Sequence, residues 1–354
     1  MIDFRYHIVS LISVFLALAV GIALGAGPLK ETIGDTLTGQ VEVLRTEKEA
    51  LRTQLDETQG DLSAEGAFVD AASGRLLEDA LTDRRVALVL LDEVTEDEVA
   101  ALTERLEQAG ASVSATVTVS STWTDPALAT YRRTLAGTLV SYLDEKPAAD
   151  AGTEAELAEA LVAGLVGADS AAPDTLTENA SSLLDVLAEG DQALVTFAQD
   201  VTRPADAVVV VAGAVAADDE PTPSAVPTAV SHEPHLALVA AAARLSEGVV
   251  VTAPTRSGDN LVSAVRGDDA LGDTASTVAG TRTIGGTVAV PLALAADIGG
   301  RSGHFGYGDD LTSLPPTVQL PPVDRTPTVP DAGGAGEGVQ APAGDGGAQP
   351  GGEG

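Results

Sequence analysis

The sequence predicts an α/β protein: an N-terminal transmembrane helix, a short coiled coil, then a mostly parallel sheet with flanking helices and a disordered C-terminal tail. Three observations lead to this expectation. The chain begins with a long apolar run, continues with a 3.5-residue apolar repeat, and then alternates strand-like with helix-like segments. The predicted segments are a short cytoplasmic N-terminus (1–7), a transmembrane helix (8–29), a coiled coil (36–69), an extracytoplasmic α/β domain (70–312) and a Pro/Gly-rich disordered tail (313–354).

The apolar run extends from Ile8 to Leu29 and is interrupted only by Ser10 and Ser13. At about 1.5 Å per residue, a helix of this length crosses the roughly 30 Å hydrocarbon core of a bilayer. A cleaved signal peptide is the alternative, because small residues lie near the end of the run. The run exceeds the apolar core of a signal peptide, which favours an uncleaved anchor. The charges that flank the run barely distinguish its two possible orientations in the membrane. We expect the N-terminus inside the cell and the large domain outside the cell membrane.

Composition limits the classes of partner and chemistry. The chain carries no cysteine, which excludes disulfides, thiolate zinc sites and cysteine nucleophiles. Its formal net charge of −34 argues against nucleic acid and anionic lipid as partners of the soluble part. Because the apolar run contains no charged residue, one copy of it offers no polar lining for a pore.

The residues after the apolar run predict a parallel dimer. Within the run, small residues recur every four positions at Ala17, Gly21 and Gly25, a spacing that lets two helices approach closely. The repeat that follows favours a parallel coiled coil. A single amphipathic helix packing on its own domain is the alternative. The repeat consists of Leu37, Val41, Leu44, Leu51, Leu55, Leu62 and Val69, with Lys48 and Thr58 in the remaining positions.

The domain predicted over 70–312 begins with a β-α-β unit. Val86–Leu91 is a continuous apolar run typical of a buried strand, a helix starts at Thr95 or Glu96, and Ser112–Ser120 alternates like a second strand. Two further segments, 261–266 and 288–296, fit a helix or a strand. The other predicted helices are Pro126–Glu145, Glu154–Val166, Thr177–Ala188 and His235–Leu245, and the other strands are Ala207–Ala212 and Gly248–Ala253.

The motifs of common enzyme classes are absent from the sequence. It contains no Gly-rich phosphate-binding fingerprint, no G-x-S-x-G elbow and no H-E-x-x-H pair. We therefore expect no enzymatic activity and no bound cofactor. The nearest approach to a metal site is His232, Glu233 and His235, whose imidazoles and carboxylate suit Cu(II), Zn or Ni. Because Pro234 lies between the histidines, we expect a loop geometry; an exposed loop with incidental histidines is the alternative.

Two polar loops are candidates for a partner or ligand surface. The first follows a predicted strand and contributes Arg256, Ser257, Asp259 and Asn260. Ligands of open α/β sheets collect at such carboxyl ends of strands. The second loop is glycine-rich and contributes Arg301 and His304. The alternative for both loops is that they only close the fold.

Motifs at both ends of the chain resemble the actinobacterial MctB family, described as copper transport proteins. The resemblance covers roughly residues 1–308, with a more variable middle. It rests on Ile2–His7, Val9–Leu11 and Phe15–Gly21 near the start, and on Val249–Val251, Leu261–Arg266, Ser276–Val278 and Gly300–Gly306 near the end.

The resemblance implies an envelope protein of copper homeostasis or efflux, described for the family as an outer-membrane channel. It supplies no catalytic or copper-ligand residue that could be assigned here. Copper is thus expected only as a transported or weakly bound ion, with the membrane and a second copy as partners and another envelope protein as a further candidate. The alternative function is a non-transporting dimeric scaffold that docks a partner protein through the two polar loops.

Overall fold

The chain folds into two compact units, residues 1–68 and 69–354. A computed structural model describes residues 4–26, 28–91, 93–148, 150–213, 232–255, 260–306 and 311–328. The first unit is helical and the second contains the sheet, so each is described by itself.

Two helices account for the first unit: α1 (Phe4–Ala26) and α2 (Pro28–Leu77), which continues into the second unit. The section Phe4–Ala23 of α1 is long and apolar enough to cross a membrane, and none of its most apolar stretch is buried. The helix begins four residues before the predicted span and ends earlier, because Pro28 starts the next helix. Proline is tolerated there, since the first turn of a helix leaves its N–H groups without intrahelical partners.

The second unit alternates strands with helices. The strands are β1 (Arg85–Leu91), β2 (Ser112–Val119), β3 (Ala168–Asp169), β4 (Ala172–Leu176), β5 (Val195–Phe197), β6 (Ala207–Ala212), β7 (Val249–Ala253), β8 (Ser276–Ala279) and β9 (His304–Phe305). The helices are α3 (Glu96–Gln108), α4 (Ala129–Leu139), α5 (Thr153–Val166), α6 (Glu178–Ala188), α7 (Glu233–Leu245), α8 (Leu261–Gly267) and α9 (Ile284–Ile298).

The seven-stranded sheet has the order β5-β2-β1-β6-β7-β8-β9, and β3 and β4 form a separate hairpin. Every pairing in the large sheet is parallel except that of β2 with β5. Counting only the parallel strands in chain order, the arrangement is 2-1-3-4-5-6. This is the order of a doubly wound sheet whose direction of winding reverses between β1 and β6.

The predicted β-α-β unit is confirmed. Strand β1 pairs with β2 in parallel, with Val86 opposite Val113. Thr95 caps α3, because its hydroxyl accepts from Glu98 N (3.3 Å) while the Glu98 carboxylate accepts from Thr95 N (3.1 Å). This reciprocal pair satisfies two N–H groups that a helix start otherwise leaves open.

Helices cover both faces of the sheet, so the central strands consist of continuous apolar residues. In β6, Val208 and Val210 pack toward the layer formed by α4 to α8, whereas Val209 and Val211 pack toward α3 and α9. Helix α9 resolves the ambiguous segment 288–296, and nearly every side chain in it is buried.

The close packing at the start of α9 explains why residue 286 is a glycine. A Cβ atom on Gly286 would lie 2.2 Å from the carbonyl oxygen of Gly280, in the turn that follows β8. Any side chain there would push the helix off the strand, so Gly286 is required for the close approach of backbone to backbone.

The described chain continues past residue 312, where the predicted domain ends. Residues 311–328 lie along the second unit without a regular helix or long strand. Arg84 donates to the carbonyl of Pro321 (3.3 Å), and Leu320 packs against the α9 side of the core. The Pro-rich composition predicted disorder from residue 313 onward. Contacts with side chains of the domain instead order the segment as far as residue 328. Residues 329–354, the rest of the predicted tail, lie outside the described residues.

Candidate functional site

The crevice of a doubly wound sheet lies where the winding reverses, at the carboxyl ends of β1 and β6. The two strand ends meet closely here. Gly213 donates its N–H to the carbonyl of Leu91 (2.9 Å), and a Cβ on Gly213 would lie 2.7 Å from the carbonyl oxygen of Glu93. The chain continues from Gly213 into 214–231, outside the described residues.

The first predicted loop contributes one described residue, Asn260, and its role is structural. Its side chain is 6% exposed. Its Oδ1 accepts from Ser263 N (3.0 Å) at the start of α8, and its Nδ2 contacts Thr255 Oγ1 (3.4 Å). An amide used in this way as a helix cap has little capacity left for a ligand. The other predicted residues of the loop, Arg256, Ser257 and Asp259, lie outside the described residues.

The second predicted loop is anchored on its own domain. Arg301 donates from Nη2 to the carbonyl of Thr317 (2.8 Å), in the C-terminal segment. His304 lies in β9, and its Nδ1 is 2.9 Å from Thr277 Oγ1. Both side chains therefore tie neighbouring segments together, although the Arg301 side chain remains exposed.

The structure does not bring the two predicted loops together. Thr255 and Asn260 follow the carboxyl end of β7. The Gly303 carbonyl accepts from Thr277 N, and the Gly303 N–H donates to Ser276 Oγ (3.1 Å), so the second loop lies at the amino end of β8. Because β7 and β8 are parallel, the first loop lies at the carboxyl ends of the strands and the second lies at their amino ends. The described residues of the two loops therefore do not lie side by side, and their role as a partner or ligand surface stays a prediction.

Burial makes His304 a pH-sensitive residue. Desolvation lowers the pKa of His304 below its ordinary value of 6.5, and the nearby charge of Arg266 acts in the same direction. The unfolded chain therefore binds a proton at His304 at a higher pH than the folded chain does. The resulting contribution to stability is present above pH 6.5 and is lost as the pH falls through the folded pKa.

We expect His304→Asn to flatten the decline in stability of the protein between pH 7 and pH 5.5. The asparagine side chain keeps a polar atom near Thr277 but cannot titrate. The measurement is urea unfolding of the second unit in the full-length protein at four pH values across this range. Parallel stability curves for the wild type and the variant would contradict a role for His304 in the pH dependence.

The predicted metal ligands lie at the start of α7. His232 occupies the position before the helix and Glu233 its first turn, and His235 is buried. A loop was expected because Pro234 separates the histidines, but proline fits the first turn of a helix, so the segment is helical. Across the described ranges, no group of three or more His, Asp or Glu side chains could hold a metal ion. The assignment of His232, Glu233 and His235 to a metal stays a prediction.

Two acidic residues at the amino ends of the strands, the buried Asp297 and the half-buried Asp206, were not identified from the sequence. Asp297 accepts from Val249 N (2.8 Å) and from Ser276 Oγ (2.7 Å) at the starts of β7 and β8. Asp206, just before β6, accepts from Arg85 N (2.7 Å) and forms an ion pair with Arg325. These carboxylates fix strand ends and the C-terminal segment. One sequence signal for Asp297 existed: an acid in the last turn of a helix opposes the helix dipole.

Comparison with known proteins gives the family. The family model described as "Copper transport outer membrane protein, MctB" matches residues 1–316. Proteins named copper transporter MctB from Mycobacterium bovis and Mycobacterium tuberculosis are 30% identical over 324 residues, covering 89% of this chain and 99% of the relative. The protein of the same name from Mycobacterium leprae is 27% identical over 325 residues, with the same coverage.

These relatives are named as transporters and not as enzymes. The match extends from the N-terminal apolar helix through the whole sheet to the segment that follows β9, so the family model covers both the apolar helix and the α/β domain. The chain belongs to the MctB family of copper transport proteins.

Proposed function

We propose that this chain is an anchored cell-envelope protein that takes part in copper homeostasis or efflux. The observation that carries the proposal is the family match over residues 1–316, together with alignment to nearly the full length of relatives named copper transporters. The same comparison favours a copper role over the alternative of a scaffold without a transport function. The opposite positions of the two predicted docking loops weaken that alternative further.

The proposed topology has a single span, α1, with the N-terminus in the cytoplasm and the bulk of the chain outside. Two observations support it. The α1 helix is the one candidate span within the described ranges, and its apolar surface is fully exposed. The chain that follows is strongly acidic and carries no cysteine, which suits an exported domain. A cytoplasmic N-terminus places the span in the inner membrane, with the α/β domain extending toward the outer membrane that the family description names.

Copper enters this proposal as cargo and not as a resident cofactor. Cu(I) prefers thiolate and thioether ligands, and the chain offers no cysteine and one methionine, Met1. Its α1 helix has no ionisable residue between His7 and Ala26 that could line a path for an ion. We therefore propose that the protein supports copper movement as part of an assembly, whose pore requires more than one copy of the span.

The test is deletion of the gene followed by growth across a copper gradient. We expect greater sensitivity to copper and a higher copper content in the cells, both reversed by the wild-type gene. A zinc gradient serves as the control, since a general envelope defect would raise sensitivity to both metals. Unchanged growth and unchanged copper content in the deletion strain would contradict the proposed function.

A further inference from the structure

Helix α2 exposes an apolar face that its own unit does not cover. Between residues 37 and 62, seven aliphatic side chains are 48–65% exposed, and all of them except Val43 lie in one row along the helix. The six are Leu37, Val41, Leu44, Leu51, Leu55 and Leu62. Isolated apolar side chains on a surface need no explanation, but a row of six on one long helix, interrupted only at Lys48 and Thr58, is a surface for a partner.

The spacing of the row identifies a partner with the same repeat. When Lys48 and Thr58 are included, the positions alternate steps of four and three residues. This average of 3.5 keeps one seam facing a neighbouring helix only if the two helices supercoil. In heptad terms, the d positions are Leu37, Leu44, Leu51 and Thr58, and the a positions are Val41, Lys48, Leu55 and Leu62. A second copy of this chain supplies the matching seam.

Charges beside the seam distinguish two orientations of that copy. Arg45 and Arg52 occupy e positions, and Glu47 and Asp61 occupy g positions. In a parallel pair, each g residue faces the e residue five positions later on the other helix, so Glu47 of one copy meets Arg52 of the other. In an antiparallel pair, e faces e and g faces g, which sets arginine against arginine and acid against acid. The net charge of −34 makes such local complementarity matter, since two copies repel overall.

The membrane anchor of the proposed function leads to the same orientation. An antiparallel pair would separate the N-terminal ends of the two repeats by about 40 Å along the coil, so two spans could not enter one bilayer at the same level. In α1, Ala17 and Gly21 are spaced for close approach of two spans, and a Cβ on Gly21 would meet no atom of the chain. This argument rests on the proposed anchor; the charge argument does not.

We propose that residues 37–62 of α2 form a parallel, in-register, two-stranded coiled coil with a second copy of the chain. The pairs Glu47–Arg52 set its orientation. Lys48 at an a position favours two strands over a larger bundle, because a buried ammonium reaches solvent most easily from a dimer. The protein thus presents its α/β domains in pairs.

Disulfide trapping tests the register, because the chain contains no cysteine of its own. Thr58→Cys places a thiol at a d position, and Thr53→Cys is its matched control at an f position on the opposite face. Both threonines are exposed and donate their hydroxyl to the carbonyl four residues earlier. Leu44→Cys at d and Thr46→Cys at f form a second matched pair.

We expect diamide treatment of membranes holding the full-length protein to cross-link both d variants several-fold more than the f variants. Register explains why both positions are needed. In an antiparallel pair, a residue can lie opposite the same residue of the other copy at one position at most. Cross-linking at residue 44 alone or at residue 58 alone would therefore overturn the parallel arrangement. Equal yields at d and f positions would overturn the coiled coil itself.

Charge reversal tests the orientation independently. We expect Glu47→Arg alone and Arg52→Glu alone to weaken dimerisation of the detergent-solubilised full-length protein about three- to tenfold in sedimentation equilibrium. The double variant should restore it, because the pair is re-formed with its signs exchanged. A double variant no better than the single ones would overturn the Glu47–Arg52 pairing. These readouts do not involve copper, so their failure and the failure of the proposed function are distinguishable.

Discussion

Asp297→Ala should lower the free energy of unfolding of the second unit by about 2–4 kcal/mol, since it leaves two buried donors without an acceptor. The side chain is 8% exposed, and its two oxygens accept from Val249 N and Ser276 Oγ. Urea unfolding of the full-length protein, followed by circular dichroism, measures the change. The control is Asp269→Ala, the same truncation at an exposed carboxylate, which should cost less than about 0.5 kcal/mol.

The charge of Asp297 gives the prediction a pH dependence. Burial raises the pKa of Asp297 above 3.8, although its hydrogen bonds from Ser276 and Val249 oppose the rise. The folded protein therefore holds the proton at a higher pH than the unfolded chain does. This contribution to stability is present below pH 3.8 and is lost as the pH rises through the folded pKa.

Asp297→Asn separates the charge from the hydrogen bonds. The amide keeps one acceptor and does not titrate, so the variant should be less destabilised than Asp297→Ala. The gap between the wild type and Asp297→Asn should be wider at pH 4 than at pH 7, because only the wild type gains from protonation. A gap that widens toward pH 7 would contradict the raised pKa.

The sequence predicted the parts of the fold that local patterns encode. Val86–Leu91 and Ala207–Ala212 are apolar runs in a sheet covered on both faces, and the helix predicted to start at Thr95 or Glu96 is capped by Thr95. Short strands escaped prediction. Strand β8 has four residues and β9 has two, too few for a period to emerge.

Strand β8, which was not predicted, explains why the sequence could not place the two candidate loops relative to each other. Without Ser276–Ala279, nothing in the sequence places the loop after α9 relative to the loop after β7. The sequence placed only the first loop, at the carboxyl end of a strand, and the structure places the second at the amino ends of the strands. Which edge a loop occupies depends on the direction of the strand beside it, and that is a property of topology rather than of composition.

The long-range ion pairs could not be predicted from the sequence either. Arg325 lies in a Pro-rich segment whose composition predicts no packed structure, and its partner Asp206 is 119 residues away. No period or motif links the two. The segment is ordered because the domain offers fixed acceptors to it, so its order could not be read from the segment itself.

Arg325→Ala should release the C-terminal segment and lower the free energy of unfolding by about 1–3 kcal/mol, a range reduced for partial exposure of the pair. The Arg325 guanidinium bonds both oxygens of Asp206 (3.1 and 2.8 Å) and also the carbonyl of Asp83 (2.9 Å). Hydrogen bonding to Asp206 raises the pKa of Arg325, so the guanidinium stays charged. Thermal unfolding of the variant and of Asp206→Ala measures the loss.

A pair of truncations separates the contact from the rest of the tail. A chain ending at residue 328 keeps Arg325 and Leu320, so it should unfold at the temperature of the full chain. A chain ending at residue 312 loses both the ion pair and the packing of Leu320 against the α9 side of the core, so it should be less stable than Arg325→Ala. Arg325→Lys should recover only part of the loss, because an ammonium cannot reproduce the two parallel hydrogen bonds to Asp206. If the chain ending at 312 proved as stable as the chain ending at 328, the segment would lie on the domain without stabilising it. Its contacts would then be a consequence of the fold rather than one of its supports.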